Sequence, residues 1–229
     1  MPSRGFDKNI NRSLLFAMPM REGSGAVTQD IAKPHHVVTL TNAPTWTTIA
    51  CGLTVLAFDN INQYFQSAAA GTADLNFTSG DYSIVGWVNL TSSVSSNMVM
   101  ARYALDVDGW EFYFYNNILS LRHNHASLAP TRESCFSLGW SISTWMFVGL
   151  TRRGLYPKMY RNGVPVTVTY DVLGMRDPDT ANRKLLNCRF TEGSDFLNGS
   201  AWNYRIWGRE LSGYEMWRLF EMERHLFGV

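Results

Sequence analysis

What most constrains this chain is its punctuation. From Leu14 onward, short β-like segments are separated by clusters of Gly, Asn, Asp and Ser at about the 8–12-residue spacing of β-sandwiches. In Trp110-Glu-Phe-Tyr-Phe-Tyr115 a period of two sets Trp110, Phe112 and Phe114 on one face and Glu111, Tyr113 and Tyr115 on the other. Asn116-Asn117 then turns the chain into Ile118-Leu-Ser-Leu-Arg122, which predicts a hairpin. A second hairpin is predicted at Met159-Tyr-Arg-Asn162-Gly163-Val-Pro-Val166, because Asn-Gly supplies the two positive φ angles of a type I′ turn. Ser83–Leu90 and Trp145–Thr151 read as further strands. Only the carboxyl end has helical spacing: Ser212-Gly-Tyr-Glu215 matches a capping box, and Met216, Trp217, Leu219, Phe220 and Met222 follow. Leu173–Lys184, charged and Pro-containing, predicts a surface loop.

Composition narrows the class. Charged residues are 17% of the chain, against about 25% in ordinary soluble domains, and hydrophobic residues are 45%, which excludes a disordered chain. A chain of 229 residues buries enough surface to need no disulfide framework. Cys51, Cys135 and Cys188 are odd in number and form no Cys-x-x-Cys, so they read as reduced, mostly buried thiols. A formal net charge of +1 leaves no electrostatic footprint for nucleic acid or an anionic membrane. No apolar run approaches the ~18 residues of a membrane span, and Met1-Pro-Ser-Arg-Gly-Phe-Asp-Lys-Asn9 lacks the apolar stretch of a secretory signal. The expectation is a chain made in the cytoplasm and not exported by a signal peptide. Asn76-Phe-Thr and Asn89-Leu-Thr are then chance sequons.

From Leu14 to the end, an ordered set of segments resembles the laminin-G-like, concanavalin-A-like jelly-roll superfamily. Leu15-Phe-Ala-Met-Pro-Met-Arg-Glu22-Gly23-Ser24-Gly25 with Asp30 gives the opening strand and turn, and Gly52-Leu-Thr-Val-Leu-Ala-Phe58-Asp59 follows. Tyr82-Ser-Ile-Val-Gly-Trp87, Trp145-Met-Phe-Val and Met159-Tyr-Arg-Asn162-Gly163 come next in family order. Phe196-Leu-Asn-Gly199, Tyr204-Arg-Ile-Trp207 and Arg209-Glu-Leu211-Ser212-Gly-Tyr-Glu215 close the set. The resemblance implies an all-β, two-sheet antiparallel jelly-roll sandwich with a short C-terminal helix, a fold shared by lectins, adhesion modules, glycosidases and viral structural proteins. One such domain is expected over residues 14–229, after an amino-terminal arm over residues 1–13.

Several constellations could carry chemistry. Many relatives hold calcium in acidic loops, which points to Asp59 and Asn62, although Asp59-Asn60-Ile61-Asn62-Gln63 also suits an Asx turn bonded to its own backbone. Asp106-Val-Asp108-Gly109-Trp110-Glu111 is the one dense acidic cluster. Asp106, Asp108 and Glu111 could bind calcium, could imitate the paired carboxylates of jelly-roll endoglucanases, or could be solvated acids beside an Asp-Gly turn, the reading preferred here. His123 and His125 could begin a zinc or copper site, but no third ligand is evident and polar surface is the expectation. For sugars, Tyr113 and Tyr115 with Asn116 and Asn117 offer rings beside amides; the same face could equally pack on another sheet or subunit.

The balance of these readings is a non-enzymatic structural or adhesive protein without a required cofactor. The expected setting is a virion surface, as a capsid decoration, cement or fibre-like subunit such as those of bacteriophages. Its expected partners are other subunits of the particle, including copies of itself, with glycans as possible ligands. Arg4, Phe6, Lys8 and Arg12 of the arm are the expected docking residues. A free carbohydrate-binding lectin is the alternative, with a glycoside hydrolase behind it.

Overall fold

The computed structural model describes residues 10–33, 35–92, 96–172, 174–189 and 192–229. Its strands run in chain order as β1 (Leu14–Met18), β2 (Val27–Gln29), β3 (Val37–Thr41), β4 (Thr45–Thr48), β5 (Thr54–Asp59), β6 (Tyr64–Ser67), β7 (Tyr82–Leu90), β8 (Asn97–Ala104) and β9 (Asp108–Tyr115). They continue as β10 (Ile118–Asn124), β11 (Arg132–Ser137), β12 (Met146–Arg153), β13 (Tyr156–Arg161), β14 (Val164–Val166), β15 (Thr169–Tyr170), β16 (Leu185–Leu186) and β17 (Asn198–Trp207), before one α-helix, α1 (Gly213–Glu223). All pairings are antiparallel and build two sheets. The first has the order β14-β13-β12-β7-β17-β5-β4, with β1 also on β17; the second is β15-β11-β10-β9-β8-β16-β6-β3-β2. The all-β jelly-roll sandwich read from the sequence is the observed fold.

Both expected hairpins form. Asn116 and Asn117 take φ of 49° and 60°, and Tyr115 pairs with Ile118 across them. Asn162 and Gly163 take 51° and 74° between β13 and β14. These left-handed angles suit Asn and Gly, whose backbones adopt them at low cost.

The core lies where the two inner faces meet. Trp110, Phe112 and Phe114 are fully buried, as the period of two requires, and Phe65 of the second sheet meets Tyr204 of the first edge-on at 6.2 Å between centroids. Gly86 of β7 has to be glycine, because a Cβ there would sit 2.1 Å from a Tyr204 ring carbon. On the outer face of the first sheet, α1 buries Met216, Leu219 and Phe220; Phe220 stacks on Trp87, whose Nε1 donates to Glu223. This second cover explains why nearly every residue of β7 is buried.

Two expectations are corrected by burial. Residues 174–184 lack regular structure but are not a simple surface loop, since Met175, Pro178 and Ala181 are buried against the sandwich. His123 and His125 are fully buried rather than polar surface. His123 accepts at Nε2 from the Tyr82 hydroxyl at 2.7 Å and donates from Nδ1 to the Arg176 carbonyl. Burial, reinforced by the Arg152 charge, lowers its pKa to about 3 and keeps it neutral. Cys135 and Cys188 are buried free thiols as expected, while Cys51 is exposed.

Of the expected docking residues, Arg4, Phe6 and Lys8 lie outside the described residues. Arg12 is exposed, and its carbonyl accepts from Arg209 of the same chain. Ile10 is buried, and its carbonyl accepts from Trp207 Nε1 at 2.8 Å. The described end of the arm is therefore held by its own domain.

Candidate functional site

Strand alternation sends Glu111, Tyr113 and Tyr115 to the outer face of the second sheet. A two-residue turn that pairs Tyr115 with Ile118 also pairs Glu111 with Arg122 of β10. On the other side, Met98 of β8 pairs with Tyr113 and Ala101 with Glu111. Met98, Glu111, Tyr113, Tyr115 and Arg122 line a cleft of about 270 Å³, completed by Tyr103, Leu105 and Ser96 and by Arg189 and Asp195 from the segment before β17. That volume falls just below the ~300–1,000 Å³ range of small-molecule sites.

The cleft is wired by Arg122. Its Nη1 donates to Glu111 at 3.2 Å, its Nη2 donates to the Tyr113 hydroxyl at 2.5 Å, and its guanidinium carbon lies 5.0 Å from the Tyr113 ring centroid. Glu111 also accepts from Asn124 Nδ2 at 3.2 Å. Burial pushes the Glu111 carboxyl above its ordinary pKa despite Arg122, and burial does the same to Asp195. Tyr113 is 8% exposed and locked in the floor, whereas Tyr115 is 48% exposed at the rim. The result is an apolar and aromatic surface interrupted by a few oriented polar groups.

The acidic cluster is not gathered at one point. Asp106, at φ 59°, accepts from Thr131 at 2.9 Å and lies 3.6 Å from Arg132, outside the cleft. Asp108 is held by Arg183 at 3.1 Å, and Glu111 by Arg122. Asp108 and Glu111 are thus buried, arginine-paired groups rather than solvated acids. Asp59 Oδ1 accepts from the backbone N–H of Ile61, Asn62 and Gln63, which is the Asx arrangement. Among the described residues, no three His, Cys, Asp or Glu side chains converge as a metal-binding set.

Tyr113 and Tyr115 therefore stand in the cleft with Glu111, while Asn116 and Asn117 form the turn and are not among its lining residues. Sequence reasoning missed Met98, Tyr103, Leu105, Arg122, Arg189 and Asp195. Arg122 could have been found from the hairpin register; Arg189 and Asp195 come from a segment far along the chain and have no local signal.

No helix among the described residues is long and apolar enough to cross a membrane. No curated protein matches the sequence. Among solved structures, the fold is similar to the binding domain of Paraclostridial Mosquitocidal Protein 1 (TM-score 0.72, 13% identity, 93% of this chain and 53% of that one). It is also similar to the receptor-binding domain of botulinum neurotoxin C/D mosaic serotype (TM-score 0.69, 16% identity, 93% and 52%). A third similar structure is of botulinum neurotoxin type C, whose cell entry is described as dependent upon interaction with two ganglioside molecules (TM-score 0.69, 15% identity, 93% and 52%). The chain spans about half the length of each of these structures. Residues 60–216, more than half of the chain, match the family described as the concanavalin A-like lectin/glucanases superfamily. The fold and the sequence agree, and the chain belongs to that superfamily.

Proposed function

We propose that this domain is a non-enzymatic carbohydrate-binding module that takes a sugar in the cleft on the outer face of the second sheet. The observation that carries the reading is the composition of that cleft: the half-exposed Tyr115 ring, with the largely buried Tyr103 and Tyr113 in its lining, beside the oriented Glu111–Arg122 pair. Pyranose faces are apolar and their rims are hydroxyls, so aromatic rings with fixed donors and acceptors match them. Hydrolysis through Asp106 and Glu111 lacks support, because the Asp106 side chain is turned to Thr131 and Arg132.

The test is glycan binding by wild type and Tyr115→Ala. Tyr115 is half exposed at the rim, so its loss should weaken binding about three- to tenfold while leaving the melting temperature unchanged. Equal binding by both proteins would refute the site. Retention should not change when calcium is replaced by chelator, because the acidic side chains discussed above are engaged by arginines or backbone amides.

A second reading is an adhesive or decoration subunit on a virion surface, assembled with copies of itself. What favours it is an exposed aromatic stack on α1, Tyr214 at 64% and Trp217 at 45% exposure with centroids 5.9 Å apart, since such rings suit a protein contact. Sedimentation of the native protein with a megadalton particle is its expected signature, and sedimentation as a free small species would count against it.

A further inference from the structure

We infer that a second cleft, at the side of the sandwich, binds a sugar carrying one negative charge, a carboxylate or a sulfate ester, on Arg161. This site is separate from the one proposed above, since no described residue lines both clefts. β14 is one edge of the first sheet and β15 one edge of the second, and residues 167 and 168 carry the chain between them. Beside that crossing, Ser137 and Leu138 at the end of β11 and Arg161 at the end of β13 line a cleft of about 380 Å³. This volume lies within the ~300–1,000 Å³ range of small-molecule sites.

Arg161 is held in place without being neutralised. Its Nη1 donates to the Gly139 carbonyl at 2.6 Å, and its guanidinium carbon lies 5.6 Å from the centroid of the Trp140 ring, contacts that orient the group before a ligand arrives. Its remaining N–H donors have no acceptor among the described residues. No Asp or Glu occurs between Glu133 and Asp171, and neither of those two lines the cleft. Glu133 is paired with Arg176, and Asp171 accepts from the Ser134 N–H. The other cations of that stretch are also paired, Arg152 with Asp177 and both Arg153 and Lys158 with Glu210. Arg161 is left as the cation there that has no ion pair among the described residues.

Ser137 points to a ligand independently. It is only 3% exposed and lines the cleft, and its hydroxyl has no hydrogen-bond partner among the described residues. A hydroxyl so enclosed is satisfied by what enters the cleft. Thr167 and Thr169 add two exposed hydroxyls, which can donate or accept as a sugar rim requires. Leu138, Pro165 and Val166 give the C–H face of a ring an apolar wall. One guanidinium balances one negative charge, which suits a carboxylate or a sulfate ester better than a phosphate monoester at about −1.5 to −2.

The experiment is an NMR titration of the full chain with glucuronate, a sulfated glucose and glucose itself, probes that differ in the charged group alone. At least one of the two charged sugars should bind at least about tenfold more tightly than glucose and should shift the amide signals of Ser137 and Thr167 and the Arg161 Nε–H signal. The tighter of the two identifies the oxyanion. Arg161→Gln should weaken that binding by at least about tenfold, with circular dichroism as the check on its fold. If that variant does not fold, the wild-type comparison between charged and uncharged sugar still decides. Glucose bound as tightly as both charged sugars, charged sugars that shift none of these signals, or undiminished binding by a folded Arg161→Gln overturns the inference. None of these outcomes bears on the cleft at Glu111, whose own test is the Tyr115 variant.

Discussion

At the scale of single residues, two buried histidines pull in opposite directions. His36 lies between Asp30 at 2.5 Å and Asp74 at 3.0 Å. Burial is the largest influence on it and favours the neutral ring, but the hydrogen bonds and charges of the two aspartates together prevail and raise its pKa to about 9. A histidine raised in the folded state stabilises fully below its unfolded pKa of ~6.5, and that stabilisation is lost as pH rises toward 9. The loss should amount to roughly 3 kcal/mol. His123 is the reverse case: its folded pKa of about 3 means that its contribution is present above ~6.5 and lost as pH falls. Denaturant titrations across pH should therefore show an alkaline decline that His36→Gln flattens. An unchanged alkaline limb in that variant would contradict the assignment.

At the scale of elements, sequence was informative where local chemistry sufficed. The capping box at Ser212 is formed in both directions, Glu215 N–H to Ser212 Oγ and Ser212 N–H to Glu215 Oε2. Ser212→Ala should cost about 1 kcal/mol in the midpoint of unfolding, and a cost near zero would mean that tertiary packing alone sets where α1 starts. The two hairpins were legible because Asn-Asn and Asn-Gly fix both turn and register. Residues 174–184 were misread because their charge looks solvated in one dimension. In the fold, Arg176 pairs with Glu133, Asp177 with Arg152 and Arg183 with Asp108, so the charges are spent on the sandwich rather than on water. Similarly, the period of two put Tyr113, Tyr115 and Glu111 on one face, but nothing near Glu111 could announce Asp195, which arrives from a segment more than eighty residues later.

At the scale of the whole molecule, the first strand is paired with the last. Leu14 lies opposite Trp207, and the carbonyl of Ile10 caps the buried indole N–H of Trp207. Removing residues 1–13 should therefore destabilise the sandwich by about 1–3 kcal/mol, since it strips an acceptor from a buried donor. An unchanged melting temperature in that deletion would show that residues 10–13 lie outside the folding unit. Pattern reading delivered the sandwich because many short signals agreed on it, whereas the anchoring of Ile10, a lone apolar residue in polar surroundings, left no pattern to read. The pairing also has a mechanical meaning. Leu14 and Trp207 sit at the same end of an antiparallel ladder. A tensile load applied between them would peel β1 from β17 one rung at a time rather than shear all the rungs together, so this seam is where the domain would yield first under traction.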